Sequence, residues 1–243
     1  MSYYFNFEYN STIQESIKKI IDGINVSFKP LQEVIQAINF PTSKLDIDFE
    51  KIISSLDESV KKIAEKGWTI DKSFTPSSII ELSELTQAEL DDSFVLYYEE
   101  NNYTHFNSVI NRIIKHDLFK KWEILLNQCS YNIKLNNIEI TIPSLLIVFE
   151  GVLADFLKTA EYGYKLKNRI NEIVTNEKNV SSIMWSSIIS FFNIINSNQK
   201  FDENRPETIN RHRILHGRDA VVWNKADAYR LINAFYTIVI LFK

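Results

Sequence analysis

The densest group of residues able to do chemistry lies near the end of this 243-residue chain, between Asn210 and Asp219. The segment reads Asn-Arg-His-Arg-Ile-Leu-His-Gly-Arg-Asp, and it holds two of the four histidines and one of the five glycines. Histidine can give and take a proton near neutral pH, and arginine offers a permanent planar fork for phosphate or carboxylate. The combination indicates a site that holds a phosphate and moves a proton.

A helix is predicted from Thr208 to His216, with Gly217 as the residue that ends it. His212 and His216 are four residues apart and would face the same way. Arg211 and His216 are five apart, which separates them by about 140° around a helix axis. A second subunit that faces the same segment across a twofold axis would relieve this misfit. We therefore expect the site to lie between two subunits.

Three interpretations of the segment compete. In the first, Arg211 stabilises the charge that builds up on a phosphodiester, while His216 does general acid–base work. In the second, His212 and His216 bind a metal ion with the i,i+4 spacing of zinc helices. Against this, a third ligand is not evident, and the neighbouring arginines would repel a cation. In the third, the cluster is structural and its arginines pair with acids, the candidates being Glu150, Asp155 and Asp219.

Composition restricts the class of protein. A hydrophobic content of 45% with 24% charged residues is ordinary for a globular protein. The single cysteine, Cys129, excludes an internal disulfide framework and favours a reducing compartment. The chain begins without the pattern of a secretory signal, and its longest apolar run is about half of a membrane span. We expect a soluble, cytoplasmic protein that makes no contact with a membrane.

The charge balance bears on nucleic-acid binding. The net charge is −4, so the overall field does not attract nucleic acid and any binding must come from a local patch. The densest positive segment runs from Arg205 to Arg218, where four arginines stand against one carboxylate, Glu207. A solvated basic face is the alternative interpretation of this segment.

Helical periodicity dominates the rest of the chain, and few glycines and prolines interrupt it. The fold class is therefore predicted to be all-α, a multi-helix bundle. A helical region at residues 1–116 has no assigned role, and a second unit at residues 117–243 carries the motif. Helices are predicted at residues 13–24, 31–38, 49–63, 77–90, 88–100, 103–115, 119–129, 144–158, 180–195 and 229–242. A brief extended piece is predicted at residues 138–142.

One predicted helix carries an isolated carboxylate. The helix at residues 144–158 is apolar on nearly every side, which places it in the middle of the bundle. Glu150 interrupts this helix and is followed by Gly151. A buried carboxylate must be paired or neutral, so we expect a cationic partner from the arginine cluster. The alternative is that Glu150 lies at a polar edge of the helix.

The segment also resembles a known signature. Arg211-His212-Arg213-Ile214-Leu215-His216 resembles the Arg-x(4–6)-His motif of the HEPN superfamily, in which a polar residue follows the arginine as His212 does here. The longer form Asn-Arg-His-x-x-Leu-His-Gly resembles a bacterial family of HEPN type. Further similar features are Ile-Pro-x-Leu-Leu at residues 142–146, Glu150-Gly151 and Gly67-Trp68. The specific match covers about ten residues, and the looser one covers the half of the chain from Asp117 onward.

This resemblance implies an α-helical homodimer, with a HEPN-like unit at residues 117–243, that cuts RNA without a metal ion or cofactor. The 2′-hydroxyl of the RNA attacks the adjacent phosphate, and the products carry a 2′,3′-cyclic phosphate and a 5′-hydroxyl. By the same resemblance Arg211 and His216 are the catalytic pair, and His212 orients or contacts the substrate.

The remaining expectations concern supporting residues and partners. Glu150 is a candidate orienting carboxylate, and the residues expected to contact RNA are Arg213, Arg218 and Asn210. Proteins of this superfamily act in toxin–antitoxin and anti-phage systems, which implies RNA as substrate and an antitoxin or defence protein as partner. Other members bind nucleotides or proteins without cleaving RNA. A non-catalytic nucleotide-binding or interaction module is therefore the alternative function.

Overall fold

The described part of the chain is helical. The computed structural model describes residues 49–161, 165–166, 168–169, 180–197, 202, 204 and 206–242. These residues contain no β-strand, so the all-α prediction is confirmed. The helices predicted at residues 13–24 and 31–38 lie outside the described residues. Within that described part, no helix has the length and apolar character needed to cross a membrane.

Eight α-helices and one 3₁₀ helix make up the described residues. They are α1 (Phe49–Glu65), α2 (Pro76–Glu84), α3 (Gln87–Lys115), the 3₁₀ helix (Asp117–Trp122), α4 (Glu123–Lys134), α5 (Ile138–Phe156), α6 (Val180–Ile195), α7 (Arg211–Leu215) and α8 (Lys225–Leu241). α3 is interrupted at Glu100–Tyr103, close to the boundary predicted between residues 100 and 103. Asn101, Asn102 and Tyr103 have positive φ angles there.

Local signals placed several helix ends correctly. α1 ends before Gly67, whose φ of +84° allows the Trp68 N–H to donate to the Ile63 carbonyl oxygen over 3.3 Å. This hydrogen bond and left-handed glycine form a Schellman cap. At the other end of the chain, Asn224 and Asp227 form the predicted capping box at the start of α8.

α8 is the most enclosed helix of the described fold. Fourteen of its seventeen residues are buried, and it packs against α3, α5 and α6. Three polar side chains among them, Arg230, Asn233 and Thr237, have hydrogen-bond partners in the interior. The prediction that residues 144–158 would be apolar on all sides within the bundle is partly wrong. On α5 nine residues are buried, but Ile147 is 49% exposed.

Two local predictions are wrong for identifiable reasons. Residues 138–142 form the first turns of α5 instead of an extended piece, because burying Ile138 and Ile142 outweighs their preference for strands. Pro143 consequently lies inside the helix and not at its first position. The helix predicted from Thr208 to His216 is shorter, Arg211–Leu215, because the side chain of Asn210 caps it.

Helices on both sides of the predicted boundary at residue 117 share one core. α1 packs against α6, and α3 packs against α8. The buried side chains of all four helices belong to one hydrophobic cluster. Whether residues 1–116 act as a unit of their own stays a prediction.

Candidate functional site

The start of α7 is fixed by one buried asparagine. Asn210 is 1% exposed, and its Oδ1 accepts a hydrogen bond from the backbone N–H of Arg213 over 3.0 Å. Its Nδ2 donates to the carbonyl oxygen and to the Oγ of Ser197, each over 3.0 Å. The first contact is an N-cap, and the other two tie α7 to the residues that follow α6. Asn210 thus determines where the neighbouring Arg211 begins.

The end of α7 is fixed by the glycine of the motif. Gly217 has a φ of +65°, and its N–H donates to the Ile214 carbonyl oxygen over 3.1 Å. The Arg218 N–H donates to the Arg213 carbonyl oxygen over 2.8 Å, which completes a Schellman cap. Gly217 therefore ends α7 as the sequence predicts, and His216 occupies the C-cap position.

Arg211 reaches across to α5 and pairs with Glu150. The Arg211 Nη2 lies 2.5 Å from the Glu150 Oε2, and the two side chains are 26% and 19% exposed. The cationic partner predicted for Glu150 is thus present, although the two residues are 61 positions apart. The ion pair uses one nitrogen of a guanidinium that can hold two acceptor oxygens. Glu150 can therefore aim the arginine while other N–H groups of the fork face a second anion.

Gly151 leaves room for a tryptophan beside this ion pair. A Cβ atom at Gly151 would lie 2.6 Å from Cζ2 of Trp122, closer than real carbon atoms approach. Trp122, the last residue of the 3₁₀ helix, therefore packs on the bare backbone next to Glu150. This contact is a physical reason for a glycine directly after the carboxylate.

The two histidines of the segment lie side by side. The ring centroids of His212 and His216 are 4.5 Å apart with an edge-on angle of 67°. His212 is half-buried, and His216 is exposed. Partial burial lowers the pKa of His212 below its ordinary value, and the nearby charges of His216 and Arg211 lower it further. His212 is therefore neutral at pH 7 and has a ring nitrogen able to accept a hydrogen bond.

The other residues predicted to bind substrate differ in accessibility. Arg218 is exposed, whereas Arg213 is 7% exposed and Asn210 is 1% exposed. A substrate contact by Arg213 or Asn210 stays a prediction, and their burial suits a supporting role better. Two acids proposed as arginine partners have other contacts. The Asp155 carboxylate pairs with Lys121 over 2.5 Å, and Asp219 accepts from the Trp223 indole over 2.7 Å.

The interpretation of His212 and His216 as metal ligands lacks a third ligand. Among the residues that the structure describes, no group of three or more histidine, cysteine, aspartate or glutamate side chains is placed to hold a metal ion. The site contains instead two imidazoles, one guanidinium and one carboxylate. These groups can bind an anion and transfer protons.

No known protein family, curated protein or solved structure matches this chain. Support for a function therefore comes from the geometry of the site and from the resemblance of its motif.

Sequence reasoning missed three residues that support the site or its helix. Ser197 holds Asn210, and Trp122 covers Gly151, but no spacing rule connects either pair. Arg230 is 1% exposed, and it pairs with Asp227 and with Asp91 on α3. An arginine within the apolar pattern of the last helix was the available signal, because a buried charge requires a partner.

Proposed function

We propose that the protein is a metal-independent endoribonuclease of the HEPN superfamily, with its site at α7. The observation that carries the proposal is the joining of four side chains with complementary chemistry. Arg211 is aimed by Glu150, and the rings of His212 and His216 are in contact one helical turn further along. Arg211 would hold the scissile phosphate and stabilise the charge that develops on it.

The histidines supply the proton transfers of this reaction. The 2′-oxygen forms a bond to phosphorus, the bond from phosphorus to the 5′-oxygen breaks, and a 2′,3′-cyclic phosphate and a 5′-hydroxyl result. The 2′-hydroxyl proton must leave and a proton must reach the 5′-oxygen. His216 is exposed and suits this general acid–base role. His212, neutral at pH 7, would accept a hydrogen bond from the substrate or from the ring of His216.

The proposal includes a partner and a setting. Arg211 and His216 point away from each other on a five-residue helix, so a second subunit would complete the site. We therefore include a homodimer with a composite site, acting on RNA in the cytoplasm. A role in anti-phage defence or in a toxin–antitoxin system, with an antitoxin or defence protein as partner, follows from the resemblance alone.

A second function is favoured by a specific contact. Because Glu150 already neutralises Arg211, the cluster also fits a non-catalytic module that binds a nucleotide or a protein. This alternative requires no proton transfer at His216. It predicts that an Arg211→Ala variant loses a ligand, while neither the parent protein nor the variant cleaves RNA.

The deciding experiment incubates the purified protein with transfer, ribosomal and messenger RNA in excess EDTA. We expect cleavage by the parent protein, and a fall of about 10²- to 10⁴-fold in Arg211→Ala and in His216→Ala. Arg169→Ala is the matched control, because Arg169 is exposed and lies outside the cluster. Equal cleavage by the parent and both variants would overturn the assignment, and activity that EDTA abolishes would favour a metal site.

A further inference from the structure

Five large apolar side chains on the α4–α5 hairpin face solvent. The exposed fractions are 78% for Ile124, 64% for Tyr131, 53% for Leu135, 62% for Ile140 and 49% for Ile147. We call this set the apolar face. Isolated exposed apolar residues are normal, whereas a cluster of this kind marks an interaction surface.

The five side chains form two adjoining stripes. Ile124, Tyr131 and Leu135 are spaced by seven and four residues, so they lie on one side of α4. Ile140 and Ile147 are seven apart and lie on one side of α5. The two helices pack against each other and are joined by a turn of three residues. Because both stripes point away from the buried sides of their helices, they adjoin on the outer surface of the hairpin.

The size of the apolar face suits a protein–protein contact. Five side chains with these exposures present about 500 Å² of surface, which is near the largest apolar patch of an ordinary monomer. A stable interface buries about 800 Å² on each partner, with an apolar centre and a polar rim. The apolar face with its surrounding polar residues reaches that area.

The charge of the surface favours a second copy of the chain over a charged partner. A twofold contact places the same residues opposite each other, so charges within it would face like charges. The exposed carboxylates of Glu123 and Glu139 lie in the first turns of α4 and α5, towards the two ends of the hairpin. The exposed residues between and beside the two stripes include the uncharged amides Asn127, Gln128, Asn136 and Asn137. A surface without charge at its centre can therefore meet its own copy without repulsion.

We propose that the apolar face is the contact between two copies of this chain. Ile147 precedes Glu150 by three residues, about 4.5 Å along α5. Two copies of α5 that cross near Ile147 at about 8 to 10 Å would bring both Arg211–Glu150 pairs to the same groove. The contact depends on the described surface alone, and its completion of an RNA site rests on the function proposed above.

The test measures mass by sedimentation equilibrium between about 1 and 100 µM. The chain has a mass of 28.4 kDa, so the parent protein is expected at about twice that value. The double variant Ile140→Lys/Ile147→Lys places four positive charges in the contact and should shift dissociation by at least about 100-fold in concentration. Ile80→Lys is the matched control, because Ile80 is 45% exposed on α2, outside the apolar face. Circular dichroism checks that each variant is folded.

The outcomes separate this inference from the proposed function. A dimer that the double variant dissociates and the control retains supports the contact, whether or not RNA is cleaved. A folded double variant that stays dimeric overturns the proposed face. A parent protein that is monomeric at every concentration also overturns it, and would indicate that another protein or another part of the chain covers the surface. An intact dimer that cleaves no RNA counts against the endoribonuclease alone.

Discussion

At the scale of single residues, the ion pair between Arg211 and Glu150 decides how the guanidinium is presented. The carboxylate holds one nitrogen at 2.5 Å and leaves the side chain 26% exposed. An arginine held in this way loses less conformational freedom when it binds a phosphate. A permanent negative neighbour also weakens the attraction for that phosphate, so the two effects of Glu150 oppose each other.

We expect orientation to outweigh charge at Glu150. In Glu150→Gln the amide oxygen can still accept from Arg211, but the ion pair is lost, and we expect RNA cleavage to fall about tenfold. The measurement is kcat and KM under single-substrate conditions, with Glu207→Gln as control because Glu207 is exposed and near the motif in sequence. An increase in kcat would show instead that Glu150 restrains the enzyme.

A second residue-scale prediction concerns His105, which lies against the Tyr97 ring at a centroid distance of 3.8 Å. Burial, followed by the charge of Arg112, lowers the pKa of His105 to about 4. Between pH 6.5 and 4 the unfolded chain therefore binds a proton at this residue that the folded chain does not. The free energy of unfolding must decrease as the pH falls through this window.

Replacing His105 removes this contribution. We expect His105→Gln to show a smaller acid-induced decrease in the free energy of unfolding, by about 1 to 2 kcal/mol after allowance for partial exposure. Urea unfolding of both proteins at about pH 7, 5.5 and 4 measures it. Parallel curves for the two proteins would contradict the lowered pKa.

At the scale of elements, α7 is too short to hold its own shape. A five-residue helix has almost no intrinsic stability, so its position depends on its caps. The Asn210 cap and the Gly217 cap enclose Arg211, His212 and His216. The geometry of the site is therefore determined in large part by residues outside the proposed chemistry.

Asn210 offers a direct test of this division. We expect Asn210→Ala to lower the free energy of unfolding by about 1 to 2 kcal/mol and to reduce kcat, with KM for RNA unchanged. Asn210→Ser retains a capping oxygen and should recover part of both losses. Urea unfolding and steady-state kinetics measure the two effects. A raised KM with unchanged stability would support the substrate contact predicted from the sequence.

Local features explain which elements could be predicted. Helix ends at Gly67, Gly217 and Asn224 follow from residue types that act on their own neighbours, and the structure confirms them. The partner of Glu150 was also predictable, because a largely enclosed carboxylate needs a cation and few were on offer. Residues 138–142 were misassigned since their strand preference was judged without the core that buries them.

At the scale of the whole molecule, the contacts that could not be predicted join residues far apart in the chain. Arg230 meets Asp91 across 139 positions, and Thr69 donates to Asn233 across 164. No local pattern encodes such pairs, because each depends on how α3, α8 and the segment after α1 pack. The exposure of Ile147 is of the same kind, since an apolar helix reveals its outer face only when its neighbours are known.

The chemistry proposed for α7 is cleavage of RNA through the 2′-hydroxyl next to the scissile phosphate. The most direct measurement uses two RNA oligonucleotides that differ by a single 2′-deoxy substitution at a mapped cleavage position, in excess EDTA. We predict that the unmodified RNA yields a 2′,3′-cyclic phosphate and a 5′-hydroxyl, and that the substituted bond resists cleavage. Cleavage of the substituted bond at the parent rate, or products with a 5′-phosphate, would contradict this chemistry.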